Sequence, residues 1–373
     1  MKKVVHFSSV HGRYDIRVFL KECVTLANNG YDVTYVISDG LGDEVKDGVK
    51  IVDLGLPEYR RLKRMFLKTF SIYKYLLSLD ADVFHFHDPE LIPYGLLLKR
   101  NKPNSVVIFD SHENYADDIS EKVYIPSILR RFVSSVYKFF EHQAVMRFDA
   151  IISATPSIDA HFKKQNALGV DINNYPFLSE FSNSNVALEK KYDVVYIGAI
   201  SEIRGVHFLV DSLSMGGKKS LAIAGTFANA EIEERVKKSA GWDSVTYFGQ
   251  VGRKEIASLL ASSKVAAVTF LPAPNHVESQ PNKMFEYMSA SLPVIGSNFP
   301  LWKEIIEGNN CGVCVNPSSP AEISSTLDSL LCDHQRLKSM ADNARVAIQE
   351  KYNWEAESIK LLSFYRNLFA DVR

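Results

Sequence analysis

The chain has 373 residues, 46% hydrophobic and 23% charged, with a formal net charge of −1. That length exceeds one ordinary core and predicts two globular domains. The near-neutral charge excludes a global attraction to nucleic acid, and no apolar run approaches the ~20 residues of a membrane-spanning helix.

In chain order, "KKVVHFSS" reads as a strand, "IRVFLKECVTLANNG" as a helix closed by Asn and Gly, and "DVTYVISD" as a second strand, a βαβ opening. The basic and aromatic residues of "HGRYDIR" interrupt the start before a signal-like apolar stretch forms, so a cytoplasmic location is expected. In that loop the three charged residues Arg13, Asp15 and Arg17 suit capping and pairing at the helix start.

Further strands are expected at "GVKIVDLG", "DVFHFHD", "SVVIFDSH" and "AIISAT", which predicts a parallel, doubly wound sheet. "HFHDPE" places His85 and His87 on one side of a strand, Asp88 not among them, so a structural role fits better than a metal site. "FDSHENY" ends its strand with His112 and Glu113. The triplet Asp80-Ala81-Asp82 lies at a strand entry, away from the carboxyl ends where ligands bind in such sheets.

Two segments, "EYRRLKRMFLKTFSIYKYLL" and "IPSILRRFVSSVYKFFEHQAVMRF", set basic residues beside an apolar helical stripe. Residues 58–76 are therefore a candidate contact for an anionic membrane surface, the alternative being a stripe buried in the core.

The pattern pauses at "DINNYPFLSEFSNSNVALEKK", a linker, and restarts with six strands from "YDVVYIGAI" to "CGVCVN". The expected domains are 1–178 and 190–354, with a final helix near 355–373 that can pack back on the first. The carboxyl ends of both sheets are expected around one cleft. Cys311 and Cys314 form a lone C-x-x-C that reads as a small-residue turn into a strand.

Glycine loops follow the first two strands of the second half, at Gly198 and at Gly225-Thr226, where a missing side chain admits a ligand. Arg204 follows the first of these and suits a diphosphate. In "ESQPNKMFEYMSASLPVIGSN" Pro281 fits a first helical turn, and Met284, Phe285, Met288 and Leu292 recur at helical spacing, so a helix opens near Asn282. Its free N–H groups beside Lys283 form a seat for phosphate, with Glu278 before it and Glu286 on its second turn as hydroxyl acceptors.

From residue 195 to 298 this arrangement resembles the nucleotide-sugar half of the glycosyltransferase family 4 enzymes, whose E-x7-E signature is matched by Glu278 and Glu286; the likeness continues from the "HFSSVHGRYDIR" opening to "YNWE". The resemblance implies an α/β GT-B fold of two Rossmann-like domains facing a central cleft. It also implies retaining, metal-independent transfer from a nucleotide-diphosphate sugar, with no cofactor, to a glycan or lipid-linked acceptor in surface polysaccharide synthesis. By that likeness Glu278 contacts the donor sugar, Glu286 the ribose, Lys283, Arg204 and the helix start the diphosphate, and His112 a sugar hydroxyl; Gly12 lies near donor phosphates and acceptor, with Arg13, Asp15 and Arg17 as acceptor contacts.

One departure is clear: Ala199 stands where the family often has arginine, and Arg204 where it has lysine. Two alternatives stay open, a nucleotide-sugar epimerase on the same architecture and a non-catalytic nucleotide-sugar-binding subunit.

Overall fold

The computed structural model describes residues 1–55, 64–115, 119, 126–165, 167–180 and 189–370. The chain divides into two compact units, residues 1–174 with 356–373, and residues 175–355.

The first unit is built on an eight-stranded sheet: β1 (Lys3–Phe7), β2 (Asp32–Ile37), β3 (Glu44–Lys46), β4 (Val49–Asp53), β5 (Val83–Phe86), β6 (Val106–Ser111), β7 (Ala150–Ser153) and β8 (Gly169–Asp171), in the order β3-β4-β2-β1-β5-β6-β7-β8. All neighbours are parallel except β3 and β4. That antiparallel edge hairpin departs from the purely parallel sheet expected. Its turn is made by Asp47 and Gly48, both at positive φ, which lets two short strands reverse without a crossover helix.

The strand interiors sort their side chains by period two. Val5, Phe7, Phe84, Phe86, Val107 and Phe109 point into one apolar cluster. The opposite face takes the intervening residues, among them His6, His85 and Asp110, all fully buried. A polar stripe is thereby carried through the centre of the sheet.

The second unit has a six-stranded parallel sheet of β9 (Tyr192–Ile197), β10 (Leu221–Ala224), β11 (Val245–Tyr247), β12 (Ser263–Val268), β13 (Val294–Ser297) and β14 (Gly312–Val315), ordered β11-β10-β9-β12-β13-β14. This is the doubly wound order whose direction of growth reverses between β9 and β12. Val195, Ile197 and Ala222 pack to one side, Val194, Tyr196 and Ile223 to the other, so both faces are covered by helices. Gly312 belongs to this packing, since a Cβ there would lie 1.9 Å from the Val294 carbonyl oxygen. Burial pushes the Cys311 and Cys314 thiols up to about 11 and about 12, as inert core sulfurs rather than a redox pair.

Candidate functional site

In the second unit the helix Asn282–Ser289 starts where the sequence placed it, with Pro281 at its N-cap. A four-residue helical turn not foreseen, Pro274–Val277, precedes it, and Glu278 is that turn's exposed C-cap. The tyrosine within the apolar stripe sets the helix against the sheet. Buried Tyr287 accepts the N–H of Ile197 at 2.9 Å and reaches the Ile197 carbonyl at 3.3 Å, tying the helix to the end of β9. Trp302 donates its indole N–H to the Ser279 carbonyl, and Tyr175 donates to Gln280, holding the segment that leads into the helix.

Lys283 and Glu286 meet across one turn at 2.6 Å, and Arg253 approaches the other carboxylate oxygen at 3.9 Å. The two residues expected to take separate parts of a ligand are thus an ion pair, because positions three apart on a helix are neighbours. Arg253 also pairs with Glu180 at 2.5 Å. Arg204 lies with its guanidinium 4.3 Å from the centre of the Phe270 ring, a cation–π contact, and no carboxylate among the described residues pairs with it. Its charge, together with burial, lowers the pKa of His276, burial being the larger cause.

The glycine turns divide into two kinds. Gly198, at φ +142°, has open space where a Cβ would stand, apart from the Tyr196 hydroxyl at 3.8 Å. At Gly225, φ +153°, that space is filled: a Cβ would fall 1.8 Å from the Gly198 carbonyl oxygen. Gly225 was expected to leave room for a ligand, and its missing side chain admits the neighbouring loop at the Cβ position. The Thr226 carbonyl accepts the N–H of Ile200, and its side chain is exposed. Ala199 is exposed, and its carbonyl accepts the Tyr196 hydroxyl.

In the first unit Asp110 is the hub. Arg17 donates to both its oxygens, from Nη2 at 2.7 Å and Nε at 3.0 Å, and gives its remaining Nη1 to the Ile172 carbonyl. His87 Nδ1 and His112 Nε2 lie 3.0 and 2.8 Å from Asp110 Oδ2. Burial works against its charge, yet Arg17 and His112 hold Asp110 well below the usual carboxylate range. It is therefore an acceptor only, and each imidazole donates to it. In neutral His112 the lone pair is then left on Nδ1. Burial brings His87 down to about 4 despite Asp110.

Arg13, also buried, donates to Asp39, Glu44 and the Gly42 carbonyl. Asp15 caps the following helix by accepting the N–H groups of Arg17 and Val18. Arg13 and Arg17, expected as acceptor contacts, each have donors engaged within the unit. Gly12 keeps open space at its Cβ position. His11 beside it was missed; its ring centre lies 4.7 Å from that of His112, the planes tilted by 52°, and it contacts Asp15 at 3.2 Å. Asp110 was missed too, although it stands two residues before His112, the spacing that shares one side of a strand.

Two family models match the chain, "Glycosyltransferase Family 4" over residues 17–169 and "Glycosyl transferases group 1" over 179–347. The chain is similar to Spore coat protein SA of Bacillus subtilis (strain 168), 24% identical over 94% of each chain. Among solved structures it resembles the sucrose-phosphate synthase from Thermosynechococcus elongatus, with TM-score 0.80, 18% identity and full coverage of both chains. It also resembles Anabaena HepE in complex with UDP and glucose, with TM-score 0.70, 13% identity, and coverage of 98% of this chain and 100% of that one. The fold is GT-B, and the class is glycosyltransferase. The chain belongs to the family 4 type of these enzymes.

Proposed function

We propose that the protein transfers a sugar, with retention of configuration, from a nucleoside-diphosphate sugar to a glycan or lipid-linked glycan. The observation that carries this reading is the end of the second sheet. There a helix start tied to β9 by Tyr287 lies in the same unit as Arg204, which no carboxylate among the described residues engages, and the Lys283–Glu286 pair. Backbone N–H groups and two cations suit a diphosphate, and a carboxylate suits vicinal hydroxyls. The HepE structure holds UDP and glucose, which supports this ligand class.

On this reading Arg204, Lys283 and the N–H groups from Asn282 onward stabilise the leaving diphosphate. Glu286 exchanges its contact with Lys283 for the ribose, and Glu278 holds the donor sugar. Gly198 and Gly12 leave room for the backbone to approach it. The leaving phosphate takes the acceptor proton, so the protein's part is charge stabilisation and alignment, without a cofactor or catalytic metal. His112, its tautomer set by Asp110, accepts a sugar hydroxyl at Nδ1. A screen of UDP, GDP and ADP for thermal stabilisation, followed by product analysis with the stabilising nucleotide's sugars, tests the proposal. Absence of stabilisation by every diphosphate rejects it.

The acceptor is read as surface polysaccharide on a lipid carrier, at the inner face of an anionic membrane. Ile128, Phe132 and Phe139 are exposed along the helix Ser127–Val145, with Phe132 at 68%, and Phe66 and Phe70 are exposed on the other segment. Arg64, however, pairs with Glu90, and Lys68 donates to the Ser38 carbonyl, while residues 56–63 lie outside the described part. The apolar contact, more than those two cations, supports membrane association. No helix among the described residues is long and apolar enough to cross a membrane. Flotation of the chain with liposomes should fall several-fold for Phe132→Glu combined with Phe139→Glu, and unchanged flotation rejects this face.

A further inference from the structure

The polar stripe of the first sheet encloses a second group of side chains that the transfer reaction does not use. His6 on β1 pairs in register with His85 on β5, and Glu22 comes from the helix segment Ile16–Cys23. All three are completely buried, as is His87. Ligand atoms of these four residues lie within 4.8 Å of one another. His6 Nε2, His85 Nε2 and both oxygens of Glu22 have no hydrogen-bond partner among the described residues. Glu22 Oε1 has an ion-pair partner in Arg17, which leaves His6 Nε2, His85 Nε2 and Glu22 Oε2; buried polar atoms are costly to leave unsatisfied, so three in one place call for an occupant.

The hydrogen-bond chain indicates what that occupant meets. Ionised Asp110 takes the Nδ1–H of His87, which leaves a lone pair on His87 Nε2. His6 Nδ1 lies 3.0 Å from that atom and donates to it. A lone pair therefore remains on His6 Nε2, with no proton to offer. His85 Nδ1 lies 2.7 Å from the Tyr365 hydroxyl, which can accept as well as donate, and in the tautomer whose Nδ1 donates to that oxygen the lone pair is on His85 Nε2. His87 is excluded as a ligand because both its nitrogens are engaged. Imidazoles oriented by a hydrogen bond on the far nitrogen, facing a carboxylate, match the outer support of a zinc-class site.

We propose that His6 Nε2, His85 Nε2 and the Glu22 carboxylate bind one zinc-class divalent cation inside the first unit. Two nitrogens and a carboxylate favour zinc or cobalt over magnesium or calcium, which take oxygen ligands. His85 Nε2 and Glu22 Oε2 stand 3.9 Å apart. Bonds of about 2.0–2.1 Å at tetrahedral angles need ligand atoms about 3.4 Å apart, a shift of about half an ångström. Arg17 Nε lies 3.2 Å from Glu22 Oε1, but its charge is balanced by the two-point contact with Asp110. With no exposed edge the ion is structural, and the inference stands whatever sugar the enzyme transfers. A buried water is the competing occupant.

The test uses the full chain. Elemental analysis of protein purified without chelator should find about one zinc per chain. Stripping with phenanthroline should lower the melting temperature, Zn²⁺ or Co²⁺ but not Mg²⁺ should restore it, and the cobalt form should show the visible absorption of a low-coordinate site. Glu22→Gln and His6→Gln should lose the metal while keeping their circular dichroism. If those variants do not fold, the unaltered chain decides: stripped protein that neither binds nor is stabilised by Zn²⁺ or Co²⁺ overturns the proposal. Undiminished binding in folded Glu22→Gln overturns it as well.

Discussion

Both units carry charge at the carboxyl ends of a parallel sheet, but they hold it differently. In the first, Arg17, Asp110, His87 and His112 satisfy one another, Arg17 and Asp110 being fully buried. In the second, Arg204 rests on an aromatic face and Lys283 on one exchangeable ion pair, both partly exposed. A buried pair broken on one side leaves an uncompensated charge, whereas in the Lys283–Glu286 pair the glutamate is buried but the lysine keeps partial access to water. Substitution should therefore harm folding in the first unit and ligand binding in the second.

The largest effect that would break this contrast is at Arg17. Arg17→Ala should destabilise the chain by about 3–5 kcal/mol in urea denaturation, because buried Asp110 keeps only its two imidazole contacts and loses its counter-charge. Arg204→Ala should cost no more than about 1 kcal/mol, the size of a partly exposed cation–π contact. Equal losses at the two arginines would show that the units do not differ as described.

Backbone packing in the second unit gives the next largest effect. Gly205 has φ +64°, and a Cβ there would stand 2.1 Å from the Thr269 carbonyl oxygen. Gly205→Ala should cost at least about 1–3 kcal/mol of stability and displace Arg204 beside it. Gly198→Ala, with open space but strained φ, should cost less; the reverse ranking would contradict the assigned loop packing.

Glu286→Ala sharpens the ligand side. Losing a charge-assisted hydrogen bond worth ~1.5–3 kcal/mol should weaken donor binding about ten- to a hundred-fold by isothermal titration, with little change in melting temperature. Lost stability with unchanged affinity would make Glu286 a structural residue like Asp110.

The smallest effect is in the pH dependence. Burial opposes the charge of His11, but Asp15 and Asp88 raise its pKa above the ordinary 6.5. The raised folded value means that the stabilisation is full below pH ~6.5 and disappears as pH rises through the folded pKa. The unaltered chain should thus be more stable than His11→Gln at about pH 5.5, and the gap should close as pH rises through the folded pKa, which lies above 6.5. A gap independent of pH would mean that His11 acts through its ring contact with His112 alone.

Much of this was legible in the residues themselves. Twelve of the fourteen strands among the described residues follow from short apolar runs between turn signals, and the start of the Asn282–Ser289 helix follows from Pro281 and its apolar spacing. The three-residue strands β3 (EVK) and β8 (GVD) were missed, each having a single apolar residue, whereas β11 (VTY), of the same length, is β-branched and aromatic throughout. Gly225 was seen as a special position, but whether a ligand or the Gly198 carbonyl occupies its missing Cβ is not a local property.

Periodicity, turn chemistry and the E-x7-E spacing belong to neighbouring positions, and these determined the two-sheet architecture and the class of ligand to expect. Which charges are free to meet that ligand was decided by contacts far apart in the chain. Arg17 reaches Asp110 across 93 positions, His6 reaches His87 across 81, and His85 reaches Tyr365 across 280. A side chain's availability depends on the partner and the burial that folding supplies, and neither is written in the residues beside it.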